Sequence, residues 1–346
     1  MLRSARKNNP KRRSPVRLFG YGLLAMLFAA SGAPAQTVTA TVAVGSQPAS
    51  VAVNPVTNKI YIVNKGGASV TVIDGASNAI ATVAVGTLPQ AAVVNPVTNT
   101  IYVSNAGSNS VTVIDGATNS TATVATGSSP AWLAVNPVTN KIYATNAGSS
   151  SVTVIDGATN STITVPVGQY PAAVAVNPVT NKIYVANLSG GNVTVIDGAS
   201  NNTSTVAVGS NPGAVAVNPV TNKIYIANNG SGNVTVIDGA SNNTSTVAVG
   251  SNPGALAVNP VTNKVYVANN GSANVTVIDG VTNSSTLVPV GMLPEGVAFN
   301  AVTNQIYVTN STSNTVTLIN GANNTTSTLA RSAPPDRPHS VHKSRS

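Results

Sequence analysis

The run VAVNPVTNKIYIVNKGGASVTVIDGASNAIATVAVGTLP, residues 51–89, contains four short apolar and polar alternations separated by turn formers. Val51-Ala52-Val53, Lys59 to Val63, Val70 to Ile73 and Ala79 to Val85 each show the period of two that puts alternate side chains on opposite faces of a strand. Between them lie Asn54-Pro55-Val56-Thr57-Asn58, Asn64-Lys65-Gly66-Gly67, Asp74-Gly75-Ala76-Ser77-Asn78 and Gly86-Thr87-Leu88-Pro89, rich in the residues that make tight turns. Connections of about five residues join antiparallel neighbours and are too short for the crossovers of parallel strands. The stretch therefore reads as an up-and-down sheet of four strands, A to D.

The unit recurs without insertion or deletion. Asn-Pro-Val-Thr-Asn begins at Asn54, Asn95, Asn136, Asn177, Asn218 and Asn259, and a seventh copy starts at Asn300, every interval being 41 residues. Asp74, Asp115, Asp156, Asp197, Asp238, Asp279 and Asn320 keep the same interval. Four-stranded units of about 40 to 45 residues are propeller blades, stacked because none can bury both faces alone. The expected fold is all-β, a seven-bladed β-propeller of four-stranded antiparallel blades. A β-solenoid with two rungs per period is the competing architecture, disfavoured because Asp-Gly and Asn-Gly turns make hairpins rather than parallel stacks. A D-like segment, Thr37 to Val44, also precedes the first A strand, whereas the segment after Asn320 departs from the repeat. The N-terminal segment is thus expected to complete the blade formed by residues 295 to 320.

Strand B and its turn read Tyr61-Ile62-Val63-Asn64, Tyr102-Val103-Ser104-Asn105, Tyr143-Ala144-Thr145-Asn146 and so on to Tyr307-Val308-Thr309-Asn310. In this tetrapeptide, repeated from residue 37 to about 330, the chain resembles the YVTN family of β-propeller repeat proteins, which includes surface-layer-like and periplasmic members. The resemblance implies an exported seven-bladed propeller without a defined reaction. Some relatives with similar repeats are enzyme subunits or lactonases, and these depend on acidic, basic and histidine side chains in the central channel.

Charge is unevenly placed. The formal net charge is +9, yet seven of the 17 basic groups lie within residues 1–17 and four lie from Arg331 onward. Residues 36–330 hold six Lys against six Asp and one Glu, a net of −1. A near-neutral body cannot neutralise a row of phosphates, so nucleic acid is not expected as a partner. The basic start, the apolar run Leu18 to Ala30 and Ala33-Pro34-Ala35 have the layout of a secretory signal peptide. Thirteen apolar residues cover only about 20 Å as helix, against a hydrocarbon core of about 30 Å. Residues 1–35 are accordingly expected to be cleaved, 36–330 to form the propeller and 331–346 a disordered basic tail. Arg12-Arg13 lacks the hydrophobic pair that normally follows in twin-arginine signals, leaving the export route open. The mature protein is expected to be periplasmic, cell-surface or secreted, monomeric and without a membrane span.

The chemistry on offer is sparse. No cysteine is present, and both histidines, His339 and His342, lie in the tail, so the body has no histidine base for a nucleophile. No catalytic residue, metal or cofactor is expected. The repeated Asp reads as an Asp-Gly turn residue, each carboxylate alone on its blade rather than gathered as calcium requires. Lys59 and Asp74, with their equivalents, should face each other across strands B and C as structural pairs, Thr100 replacing the lysine in the second unit.

Departures from the seven-fold pattern are more informative than the pattern itself. The A to B and C to D turns scarcely vary. The D to A and B to C turns, expected together on the opposite face, carry Leu88, Gln90, Trp132, Tyr170, Met292, Leu293 and Glu295. Trp132 and Glu295 are the only tryptophan and glutamate in the chain and occupy nearly equivalent positions in their units. Exposed aromatics of this kind mark recognition surfaces. The leading expectation is a non-catalytic binding or structural scaffold presenting this face to a protein, glycan or other ligand of the cell envelope. The alternative is a quinoprotein-dehydrogenase-like or lactonase-like propeller enzyme or enzyme subunit.

Overall fold

The computed structural model describes residues 41–330; the expected signal peptide and basic tail lie outside them. Twenty-eight strands in the described residues form seven four-stranded antiparallel sheets, each in consecutive order. This is the seven-bladed β-propeller. Blade 4 is representative, with A Pro171–Asn177, B Lys182–Asn187, C Asn192–Asp197 and D Thr203–Ala207. The A strands of successive blades lie beside one another and line the axis, while D is exposed at all but one position in each of blades 1 to 6.

Turn chemistry fixes each hairpin. At the A to B turn of blade 3, Asn136 Oδ1 accepts from the backbone N–H groups of Val138 (3.1 Å) and Thr139 (3.4 Å), and Asn140 takes φ 51°. At the C to D turn, Asp156 Oδ1 accepts from Ala158 N and Thr159 N, both at 3.0 Å, and Asn160 takes φ 59°. Asn tolerates the left-handed region better than other non-glycine residues, which is why it recurs there.

Six seams between blades are built alike. Across the seam from blade 4 to blade 5, Tyr184, Val193 and Val206 pack against Ile224, Ile226 and Ile237. Asn177 Nδ2 donates to Asn222 Oδ1 at 2.7 Å, and Lys182 Nζ donates to the Gly239 carbonyl at 2.8 Å. The Asn pair recurs at the other five, from Asn54 to Asn99 through Asn259 to Asn304. The expected B to C register is present, with Lys182 opposite Asp197. The lysine's role needs correction, however, because its ammonium extends to the C to D turn of the next blade. It ties blades together rather than only pairing strands within one.

The seventh seam, between blades 7 and 1, is not built this way. Val51 and Val53 are 60% and 55% exposed, whereas the residues in their places in the other blades are buried or half-buried. Tyr307 is half-buried where its six counterparts are 0% exposed, and its hydroxyl donates to Gln305 Oε1 at 3.1 Å. The expected closure by Thr37 to Val44 is also corrected. Strand D of the last blade is Thr326–Ala330, which pairs with Thr315–Asn320, while residues 41–44 form no strand and 37–40 lie outside the described residues. The sequence after Asn320 departs from the repeat but keeps Thr326 and Thr328 opposite Ile319 and Thr317, which is enough for a ladder that needs only backbone groups.

Candidate functional site

Backbone bonds join the D to A and B to C turns on one face, as Lys65 N to Gln47 O (3.0 Å) and Leu188 N to Tyr170 O (2.9 Å) show. The chain enters this face through a glycine. A Cβ on Gly127 would stand 2.7 Å from Asn146 Nδ2, which is committed to Ser151 Oγ (3.0 Å) and Thr153 Oγ1 (2.9 Å), so only glycine fits. The buried Asn that ends the tetrapeptide is thus a clamp for the turn.

Two residues later each turn takes a left-handed residue: Gln47, Leu88, Ser129, Tyr170, Asn211, Asn252 and Leu293, with φ between 49° and 52°. Asn fills this position without conflict in blades 5 and 6, whereas Leu88, Tyr170 and Leu293 hold bulky side chains in a backbone region that disfavours them. All three are exposed, so the fold gains little burial in return. Strain of this kind without packing to offset it concentrates at functional positions.

A proline follows, then a bulge. In blade 3, Pro130 pairs with Asn146 and Leu133 with Ala144, so Ala131 and Trp132 together oppose Thr145. Thr145 Oγ1 accepts from Trp132 N at 3.0 Å. In blade 2, Ser104 Oγ accepts from Ala91 N at 3.2 Å and donates to Ala131 O of blade 3 at 2.7 Å; in blade 7, Thr309 Oγ1 accepts from Gly296 N at 2.9 Å. Hydroxyls occupy this site only in blades 2, 3 and 7, which also carry Gln90, Trp132 and Glu295 at or beside the bulge. Sequence reasoning missed Ser104, Thr145 and Thr309. The third letter of the tetrapeptide, Ser or Thr only in these three units, was the available signal.

Trp132 is 54% exposed and walls an open cavity of about 230 Å³ with Leu133, Val174, Val215 and Leu256, between which lie small Ala and Gly residues of strands A in blades 4 to 6. Gly254 faces open space, with no atom within 4 Å of a Cβ built there. Of the residues singled out from sequence, only Trp132 lines this cavity. Leu88, Tyr170, Met292 and Leu293 stand exposed at the D to A turns, Glu295 is exposed on strand A of blade 7, and Gln90 is half-buried on strand A of blade 2. Glu295, at nearly the equivalent position to Trp132 in its own unit, is not part of the cavity wall.

Ionisable groups are segregated. Among the described residues, all six Asp lie at C to D turns on the opposite face, and five of the six Lys start B strands there. Backbone hydrogen bonds from Ser200, then its hydroxyl and the Ala199 N–H, hold the Asp197 carboxyl below the usual carboxylate range, and the other five Asp are held down by equivalent bonds. Such carboxylates are poor bases. Burial, reinforced by Asp197 of the next blade, pushes the Tyr143 hydroxyl up to about 12, so the buried tyrosines stay neutral. Among the described residues, Lys65 and Glu295 alone bring charge to the D to A face.

The family of the seven-bladed β-propeller lactonases matches residues 114–208. No curated protein matches the chain in sequence. Among solved structures, hydrazine synthase of Kuenenia stuttgartiensis is similar at TM-score 0.64 and 24% identity, over 83% of this chain and 99% of that one. A functionally unknown protein from Desulfotomaculum acetoxidans DSM 771 is similar at TM-score 0.61 and 14% identity, over 79% of this chain and 99% of that one. Both likenesses concern the fold. The expectation of a scaffold without catalysis is corrected by the lactonase match, which favours a catalytic role. The described residues contain no histidine, so the general base they offer on this face is a carboxylate.

Proposed function

We propose that the chain is a propeller enzyme of the lactonase type, opening a cyclic ester at the D to A face. The observation that carries this reading is the overlap of the matched residues 114–208 with the part of the cavity wall that holds Trp132, Leu133 and Val174. Glu295, the one carboxylate of this face, is assigned as the base. It takes a proton from water as the oxygen attacks the ester carbonyl, and returns it to the departing ring oxygen as the carbon–oxygen bond breaks, leaving a hydroxy acid. The tetrapeptide at fixed spacing supports placing the chain with the YVTN repeats, and the N-terminal layout supports export to the periplasm, cell surface or medium.

The test is lactone opening followed by pH-stat titration with the mature protein. Turnover that Glu295→Gln abolishes, with the circular dichroism spectrum unchanged, is the expected result. A folded protein that opens none of a panel of four- to seven-membered lactones overturns the assignment.

A further inference from the structure

We infer that the cavity at Trp132 holds an uncharged aliphatic group, which under the lactonase reading, on which the word substrate rests, is the apolar tail of the substrate. The side chains of its wall are apolar but for one indole N–H: Trp132, Leu133, Val174, Val215 and Leu256, with alanines and glycines between them whose backbone supplies the rest of the polar surface. No hydroxyl, carboxylate, ammonium or amide side chain lines it, so a sugar ring with several hydroxyls would find only backbone groups and the indole N–H in place of its water, whereas an alkyl chain gives up no hydrogen bonds on entering. A phosphorylated or carboxylated ligand fits less well still. Residues 36–330 contain no arginine, Lys59, Lys141, Lys182, Lys223 and Lys264 are bound to backbone carbonyls on the opposite face, and Lys65, on the same face as the cavity, is not part of its wall. At about 230 Å³ the space exceeds the roughly 150 Å³ apolar cavity known to admit benzene.

The cavity is also kept open by construction. Strand A of blades 5 and 6 places Gly213 and Gly254 beside it, and added Cβ atoms there would meet nothing closer than 3.9 Å. Larger residues would therefore fit the fold, and the glycines are not required by the backbone, since neither has a left-handed φ. They leave room. On the other side the bulge held by Thr145 directs Trp132, the face's largest apolar side chain, to the rim, where it remains half exposed instead of filling the space.

Because Trp132 is the only tryptophan, its fluorescence reports the cavity without labelling. The mature protein should be titrated with 1-octanol, which has no ester, with γ-decalactone, and with glucono-δ-lactone. A saturable emission change is expected for the first two and none for the third. Gly254→Leu should weaken the 1-octanol response roughly tenfold or more with the fold intact, and Gly213→Leu serves as the second variant should the first fail to fold. An absent response to 1-octanol, an equal response to glucono-δ-lactone, or insensitivity to both glycine variants overturns the inference. The catalytic reading fails separately: saturable 1-octanol binding without opening of any lactone sinks hydrolysis and leaves the apolar site standing.

Discussion

The two faces of this propeller are made from the same 41-residue unit and are chemically opposite. The A to B and C to D face repeats one device: a C to D turn capped by Asp or Asn in every blade, an Asn pair across six seams, and in five blades a lysine reaching to the next blade. Its groups are consumed by one another. The D to A and B to C face keeps the glycine, the proline and the buried Asn constant, and spends its variable positions on exposed apolar or strained residues. Constancy on the first face follows from interlock between blades, whereas the second face is free to vary because its side chains point at solvent or at the axis.

Tyr184→Ala should separate the two regions most sharply. Its ring is fully buried in the seam to blade 5, so truncation should cost about 3–5 kcal/mol in urea unfolding. Tyr170→Ala, in the same blade but half exposed on the variable face, should leave the midpoint unchanged. Equal losses would mean that the exposed face carries packing energy too.

Thr145→Val should cost about 1–3 kcal/mol, because the Trp132 N–H loses its acceptor inside the bulge. Tryptophan emission should shift with it, as the indole is no longer held at the rim. In the opposite direction, Leu88→Asn, Tyr170→Asn and Leu293→Asn should each stabilise by roughly 1 kcal/mol, since asparagine already serves this left-handed position in blades 5 and 6. The three sites lie in separate blades, so their effects should add in chemical denaturation.

On the constant face the effect is confined to acid. Hydrogen bonds depress the Asp carboxyls in the fold, so their contribution is complete above the unfolded value near pH 4 and is lost as pH falls through the lower folded value. Melting temperature should be flat above about pH 5 and decline below about pH 4. Asp197→Asn should shrink that decline while preserving the fold, because Asn320 already caps the same turn in blade 7 by accepting from Ala322 N at 2.9 Å. The smallest change is expected for Trp132→Ala, within about 0.5 kcal/mol of the parent in unfolding, because the indole is exposed and its backbone bond to Thr145 survives. A larger loss would make Trp132 a packing residue.

The sequence by itself determined what depends on local order. Alternation in Val51 to Val85, turn residues at fixed offsets and an unbroken interval of 41 residues specify strands, hairpins and their repetition, because these follow from backbone sterics and from which side chains alternate. It also singled out Trp132 and Leu88, Tyr170 and Leu293 as departures from the pattern. Only tertiary structure decided where long side chains and competing segments go. Lys182 stands opposite Asp197 in register yet bonds to Gly239, a choice set by the distance to a blade that is 57 residues away in sequence. Thr326–Ala330 rather than the better-matched Thr37 to Val44 supplies the last blade's D strand, since strand pairing uses backbone groups that every sequence has. The cavity beside Trp132 likewise arises from strands in four blades, and no local pattern records which of them meet around an axis.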